Sequence, residues 1–159
     1  MSNKLNQEQQ DFWLSYLKTL PLKRRPKAAF IEAAPAGDKT CTDHLIALYL
    51  DGKKTAGSSL VADFNYENDP LPQQGNYWIV LDSKQTPALI LKTTSICFNK
   101  FAKVPAEIAR AEGEGDLSLQ YWTDTHAKFF PPYLKTWGVD DLNEAVVVTE
   151  YFDLVYKRV

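Results

Sequence analysis

The chain has 159 residues, 45% of them apolar and 13% aromatic, with a formal net charge of −2. That composition excludes a globally disordered chain, and the near-neutral balance excludes a protein that coats polyanions with a uniformly basic surface. A nucleic-acid site would have to be a local patch.

The first ten residues are polar and lack a signal-like apolar core, and no run approaches the ~20 apolar residues of a membrane span. Cys41 and Cys97 form no CxxC pair and suggest no disulfide framework. A reduced cytoplasmic protein is the expectation.

Taken in chain order, Asn6 can cap a first helix carrying Phe12, Trp13, Tyr16, Leu17 and Leu20 at helical spacing, ended by Pro21. A basic stretch, Lys23-Arg24-Arg25-Pro26-Lys27, follows. It reads as a solvated connector or a weak phosphate contact. Ala28 to Ala34 reads as a short helix closed by Pro35 and Gly37. Thr42 or Asp43 can cap a helix through Leu45, Ile46, Tyr49 and Leu50, with Gly52 placed where a helix end wants positive φ. Leu60, Val61 and Phe64 have helical spacing, with Ser58 or Ser59 as cap; a strand is the alternative.

Asp69-Pro70-Leu71-Pro72 is a loop. Tyr77–Leu81 and Ala88–Phe98 read as a hairpin about a turn at Asp82–Pro87. Pro105–Ala111 is a short helix, Leu117–Leu134 a longer one, and Val146–Tyr156 a closing strand with a bulge or a break. Strands and helices are segregated, which predicts an α+β fold, not a doubly wound sheet.

The common catalytic signatures are absent: there is no GxGxxG, GxxxxGK[ST], GxSxG or HExxH. Only two histidines occur, His44 and His126, so a zinc site would have to be gathered from distant segments. Two segments carry chemistry. Asp51-Gly52-Lys53-Lys54-Thr55-Ala56-Gly57-Ser58-Ser59 places two lysines and three hydroxyls on a small-residue stretch after a helix. Free amides and a lysine there can hold an anion or a carbonyl oxygen, or the stretch is an ordinary solvated turn. Ala111-Glu112-Gly113-Glu114-Gly115-Asp116 alternates carboxylates with glycines. One carboxylate can act as a general base, or the segment is helix-end chemistry with Gly113 closing one helix and Asp116 capping the next. Trp122 and His126, four apart, share a helix face that can stack on a base or belong to the core; Thr123 lies between them.

Read as an ordered set, these blocks resemble the stand-alone bacterial ASCH-domain proteins of the longer type. Phe12-Trp13-Leu14-Ser15-Tyr16-Leu17 resembles the family's first helix. Gly37-Asp38, Leu45–Leu50 and Gly52-Lys53-Lys54-Thr55-Ala56 match the region of its Gly-x-Lys-Thr turn. Pro70-Leu71-Pro72, Gly75, Tyr77, Ile79-Val80-Leu81-Asp82 and Lys92-Thr93-Thr94 follow. Glu112–Asp116, Ser118-Leu119, Trp122, His126 and Phe129-Phe130 form the most specific block. Val147-Val148, Glu150, Phe152 and Val155-Tyr156 close the match, which covers nearly the whole chain.

The resemblance implies a small PUA-like β-barrel flanked by helices: one domain over 1–159, with a helical extension at 1–36 and the core at 37–159. It implies binding of RNA or a modified nucleoside, as monomer or homodimer, in a cleft beside the barrel. Lys53, Lys54, Thr55, Ser58, Ser59, Glu112, Trp122 and His126 are the implied ligand contacts. A shorter bacterial branch hydrolyses N4-acetylcytidine with the turn lysine, a threonine three residues later and a glutamate of the acidic block. Those positions fall on Lys54, Gly57 and Glu114. Gly57 has no hydroxyl, so Thr55, Ser58 or Ser59 would have to substitute at a shifted place, with Ser58 the one considered for a catalytic role. Ribonuclease action has been proposed for bacterial members; no resident cofactor is expected, although a ribonuclease could use a divalent ion held by Glu112, Glu114 or Asp116. A protein-interaction module built on exposed aromatics is the third reading.

Overall fold

The computed structural model describes residues 4–159. Helix α1 (Gln7–Lys18) starts at Asn6, whose side chain accepts from the Gln9 amide while the Gln9 side chain accepts from the Asn6 amide. This reciprocal pair satisfies two amides that the first turn leaves without helical partners. Strand β1 (Ile31–Pro35) follows, then α2 (Thr42–Leu50), β2 (Ala56–Leu60) and α3 (Val61–Glu67). A hairpin of β3 (Tyr77–Leu81) and β4 (Pro87–Lys100) leads to α4 (Ala106–Glu112), α5 (Leu119–Phe129), α6 (Pro131–Leu134) and β5 (Val146–Lys157).

The five strands form one mixed sheet in the order β1-β3-β4-β5-β2, curved into a half-barrel with helices on both sides. Only the β1–β3 pair is parallel. Helix α1 packs Phe12, Trp13 and Tyr16 against Tyr77, Ile79 and Ile90. On the opposite face α2 sets Leu45, Ile46 and Tyr49 against Val80, Leu91 and Phe152. A third cluster joins α4 and α5, through Ile108, Trp122 and Phe130, to Leu60 and Val147. Ile79, Ile90 and Leu91 are essentially inaccessible to solvent, each contributing about 1.5–3 kcal/mol of burial. No helix among the described residues is long and apolar enough to cross a membrane.

Four local expectations are corrected. The alanine-rich piece read as a helix over Ala28–Ala34 is strand β1 in part, because Ile31–Pro35 pairs with Tyr77–Leu81 and that pairing outweighs local propensity. Ser58 and Ser59 cap nothing: they lie in β2, and α3 begins after Leu60. Neither Thr42 nor Asp43 caps α2. The Thr42 hydroxyl donates to the Ala36 and Asp38 carbonyls, and the Asp43 carboxylate accepts from the Ser83 amide and hydroxyl. The long helix over Leu117–Leu134 is two pieces, since Leu117 has φ 68° and Pro131 opens a new helix. In the closing strand, β5 remains continuous while its pairing with β4 shifts at Ile90/Leu91 and Thr93/Ser95.

Candidate functional site

The lysine turn is built by hydrogen bonds at a helix end. After α2, Gly52 takes φ 73°, and the Lys53 and Lys54 amides both donate to the Leu48 carbonyl. The Thr55 amide then donates to the Ala111 carbonyl at 2.7 Å, and the Phe152 amide donates to the Thr55 carbonyl at 2.8 Å. The turn is thus stitched to the end of α4 on one side and to β5 on the other. Gly113, with φ 68°, sits directly against this backbone: a Cβ there would overlap the Lys53 carbonyl. The glycine between the two acidic residues is therefore a close-approach residue as well as the helix terminator.

This apposition buries Lys54. Its ammonium donates to Glu114 Oε2 at 2.9 Å and to the Glu112 carbonyl at 3.3 Å, and it lies 3.6 Å from Glu112 Oε1. It also sits over the Tyr49 ring, 5.6 Å from the centroid. The Lys54 side chain is 5% exposed and that of Glu114 27% exposed, so Glu114 is the open member of the pair.

Glu112 is the hub behind it. One carboxylate oxygen accepts from the Trp122 indole N–H and from the Ser58 hydroxyl at 2.8 Å. The other faces Lys54, with His126 Nε2 at 4.0 Å. Trp122 and His126 stack with ring centroids 4.1 Å apart, and His126 Nδ1 lies 2.7 Å from the Trp122 carbonyl. A buried carboxylate is stabilised only when such partners satisfy it, and Glu112 has one on each side. Above the network, Glu114, Ser118, Tyr121, Thr125 and His126 line a shallow concavity.

The structure therefore gathers Lys54, Ser58, Glu112, Glu114, Trp122 and His126 into one connected group. Thr55 lies at its margin, with an exposed side chain whose hydroxyl donates to the Ala111 carbonyl at 3.2 Å. Lys53 is apart: its side chain is 67% exposed and pairs only loosely with Asp51. Ser59 faces away from Ser58, as successive strand residues do. Trp122 is buried against His126 and Phe101, so its rings serve the core. Glu112, Glu114 and Asp116 do not converge: Asp116 accepts from the Ser118 amide, and no cluster of three metal-ligating side chains forms among the described residues.

Four residues around the site were not among the site residues expected from the sequence. Thr149 shares a 2.8 Å hydrogen bond with Ser58, and Tyr49 underlies Lys54. Burial, reinforced by Glu112, Glu114 and Glu150, holds the Tyr49 phenol well above its ordinary pKa, so it remains a neutral hydroxyl. Thr93 donates to Glu150 Oε1 at 3.0 Å. No spacing rule marks them, because β4, β5 and α2 meet only in the folded chain.

Burial pushes the Glu150 carboxyl from 4.5 up to about 7, against the Thr93 hydrogen bond and with Glu32 adding to the rise. The folded protein then holds a proton that the unfolded chain releases between those values. Glu150's contribution to stability is fully present below about pH 4.5 and is lost as pH rises through about 7. Glu150→Gln removes this dependence. Chemical denaturation should show the variant gaining on the wild type by on the order of 2 kcal/mol between pH 5 and pH 8. A constant difference across that range would contradict the assignment.

A mixed half-barrel flanked by helices, with a lysine turn locked against an acidic helix end, defines a PUA-like domain. The ASCH domain family model matches residues 31–156, and the chain belongs to that family. The structure is similar to that of an ASCH domain from Lactobacillus crispatus JV V101, with 27% identity, a TM-score of 0.87 and 96% of each chain covered. It is also similar to protein EF3133 from Enterococcus faecalis V583, with 28% identity, a TM-score of 0.80, and 93% of this chain and 88% of that one covered. Among curated proteins, none matches the chain significantly.

Proposed function

We propose that this ASCH domain binds a nucleoside, free or as one base of a single-stranded RNA, at Lys54 and Glu114. The observation that carries the reading is the 2.9 Å Lys54–Glu114 pair, buried at the lysine and open at the glutamate. One ammonium there faces two carboxylates, Glu112 and Glu114. A site with that balance repels a bare phosphate and favours a ligand that offers both donors and acceptors, as a base edge does. Lys54 donates to a ring carbonyl while Glu114 accepts from an amine or a hydroxyl. In this reading Glu112 holds the lysine and does not touch the ligand.

The test is calorimetric titration of cytidine, N4-acetylcytidine and short single-stranded RNA into wild type and Lys54→Met, a variant that keeps the buried stem. Loss of a charged hydrogen bond predicts affinity lower by about 10- to 100-fold. Equal affinities would remove Lys54 from the site.

A hydrolase is the second reading, favoured by the Ser58 hydroxyl held 2.8 Å from Glu112. A hydroxyl beside a carboxylate is a nucleophile beside a base. It does not replace a hydroxyl at position 57, because adjacent strand residues point to opposite faces. Binding without turnover is expected from N4-acetylcytidine and labelled RNA; acetate release or RNA cleavage that is lost in Ser58→Ala would establish the hydrolase instead.

A further inference from the structure

Glu150 lies outside the Lys54 network and has no part in the reading above. It stands opposite Gly57 in the β2–β5 ladder, so the two project toward the same face of the sheet. Gly57 fills none of that face: a Cβ there would just touch the Tyr49 hydroxyl at 3.6 Å and the Phe152 ring at 3.5 Å. Phe152, two residues on from Glu150, packs with Tyr49 and Trp78 at ring-centroid distances of 5.8–6.1 Å. The missing side chain leaves Glu150 with no side chain opposite it on β2, beside the Tyr49 hydroxyl and the edge of the Phe152 ring. Thr93 fixes one carboxyl oxygen, Oε1, and no donor among the described residues occupies the other. The Lys54 ammonium lies 5.6 Å from the centroid of the same Tyr49 ring, which links this position to the Lys54–Glu114 pair.

We propose that Glu150, facing the gap over Gly57, reads the hydrogen-bonding edge of the base bound in this cleft and so determines which base is accepted. The inference rests on the nucleoside reading of the Lys54 site and adds its specificity. The chemistry follows from counting donors and acceptors. A neutral carboxyl offers one O–H donor and one acceptor, matching the ring nitrogen and amine of cytosine or adenine. An ionised carboxylate offers acceptors only, matching the adjacent N–H and amine donors of guanine. Groups facing Glu150 are Thr93 on β4, Glu32 on β1 and Tyr49 on α2; Asp69 stands behind Glu32. None is a cation that would hold Glu150 ionised, so the carboxyl changes state near neutral pH and the preferred edge changes with it.

The experiment measures binding of cytidine, adenosine, guanosine and uridine at pH 6 and pH 8 to wild type, Glu150→Gln and Lys54→Met. The glutamine keeps an acceptor for Thr93 and presents one donor and one acceptor at every pH. For wild type, the cytidine-to-guanosine affinity ratio should fall by about tenfold or more from pH 6 to pH 8, the worth of one misplaced hydrogen-bond partner. For Glu150→Gln the ratio should stay within about twofold across the same range. A wild-type ratio that does not move with pH overturns the inference, as does a Glu150→Gln ratio that moves as the wild type's does. If Lys54→Met still loses binding in those cases, the cleft reading stands and only the specificity role falls. If no nucleoside binds the wild type, or Lys54→Met binds as well as it does, both fall together.

Discussion

Glu112→Ala should cost the fold about 3–5 kcal/mol, the usual cost of removing one partner from a buried charged network. Glu112 is 3% exposed, and its carboxylate serves Ser58, Trp122 and Lys54 at once. Without it Ser58 still has Thr149, and Lys54 still has Glu114. The Trp122 indole N–H would have no remaining partner, and one of two carboxylates would leave a buried ammonium. For a domain of this size the loss corresponds to a melting temperature lower by on the order of 10 °C. Glu112→Gln keeps an oxygen for Trp122 and Ser58 and should cost roughly 1–3 kcal/mol, mostly through the missing charge. Urea denaturation of the two variants separates the effects. An alanine variant within about 1 kcal/mol of wild type would mean that the network adds little.

Gly113→Ala should be comparably damaging for a different reason. The new methyl would occupy the space of the Lys53 carbonyl, and φ 68° already disfavours any side chain. Gly52 supplies the control. Its φ is 73°, yet nothing lies within 4 Å of a Cβ built there. Gly52→Ala should therefore cost only the conformational part, about 1–2 kcal/mol, while Gly113→Ala adds backbone displacement for a total above about 3 kcal/mol. On the proposed reading, Gly113→Ala should also weaken nucleoside binding, as Lys54→Met should, because the turn and the acidic block move apart together. Equal destabilisation by the two alanines would show that close packing at Gly113 is unimportant.

The legible parts of this chain are those that local physics decides. Asn6 and Gln9 announce the start of α1, and the Tyr77–Leu81 hairpin shows in its β-branched and aromatic run. Pro105 and Gly113 bracket α4. The misread parts are those that a distant partner decides. Ile31–Pro35 is rich in alanine, and Ala56–Leu60 in glycine and serine; neither composition favours a strand. Both become strands because β3 and β5 present an unpaired edge.

The site divides in the same way. The two motif blocks are visible as local oddities, and family resemblance paired Lys54 with Glu114. That Glu112 is the buried hub, and that Tyr49, Thr93, Thr149 and Glu150 surround the site, depends on contacts between segments far apart in the chain. Alternation along β2 was readable in principle. Ser58 and Gly57 had to face opposite sides once that segment was a strand, and treating it as a helix cap hid this.

The sheet order has a consequence for how the protein is made. Ser58 and Thr149 touch across 91 positions of sequence, because β2 pairs only with β5. During synthesis the lysine turn and β2 leave the ribosome long before their partner exists. The earlier strands β3 and β4 can close at once as a hairpin, while β2 waits as an open edge. Non-local pairings of this kind form slowly, since a long loop must be ordered before any contact is gained. The network around Lys54 and Glu112 is thus among the last parts of the molecule to mature, and the proposed nucleoside site would be complete only after the final strand has docked.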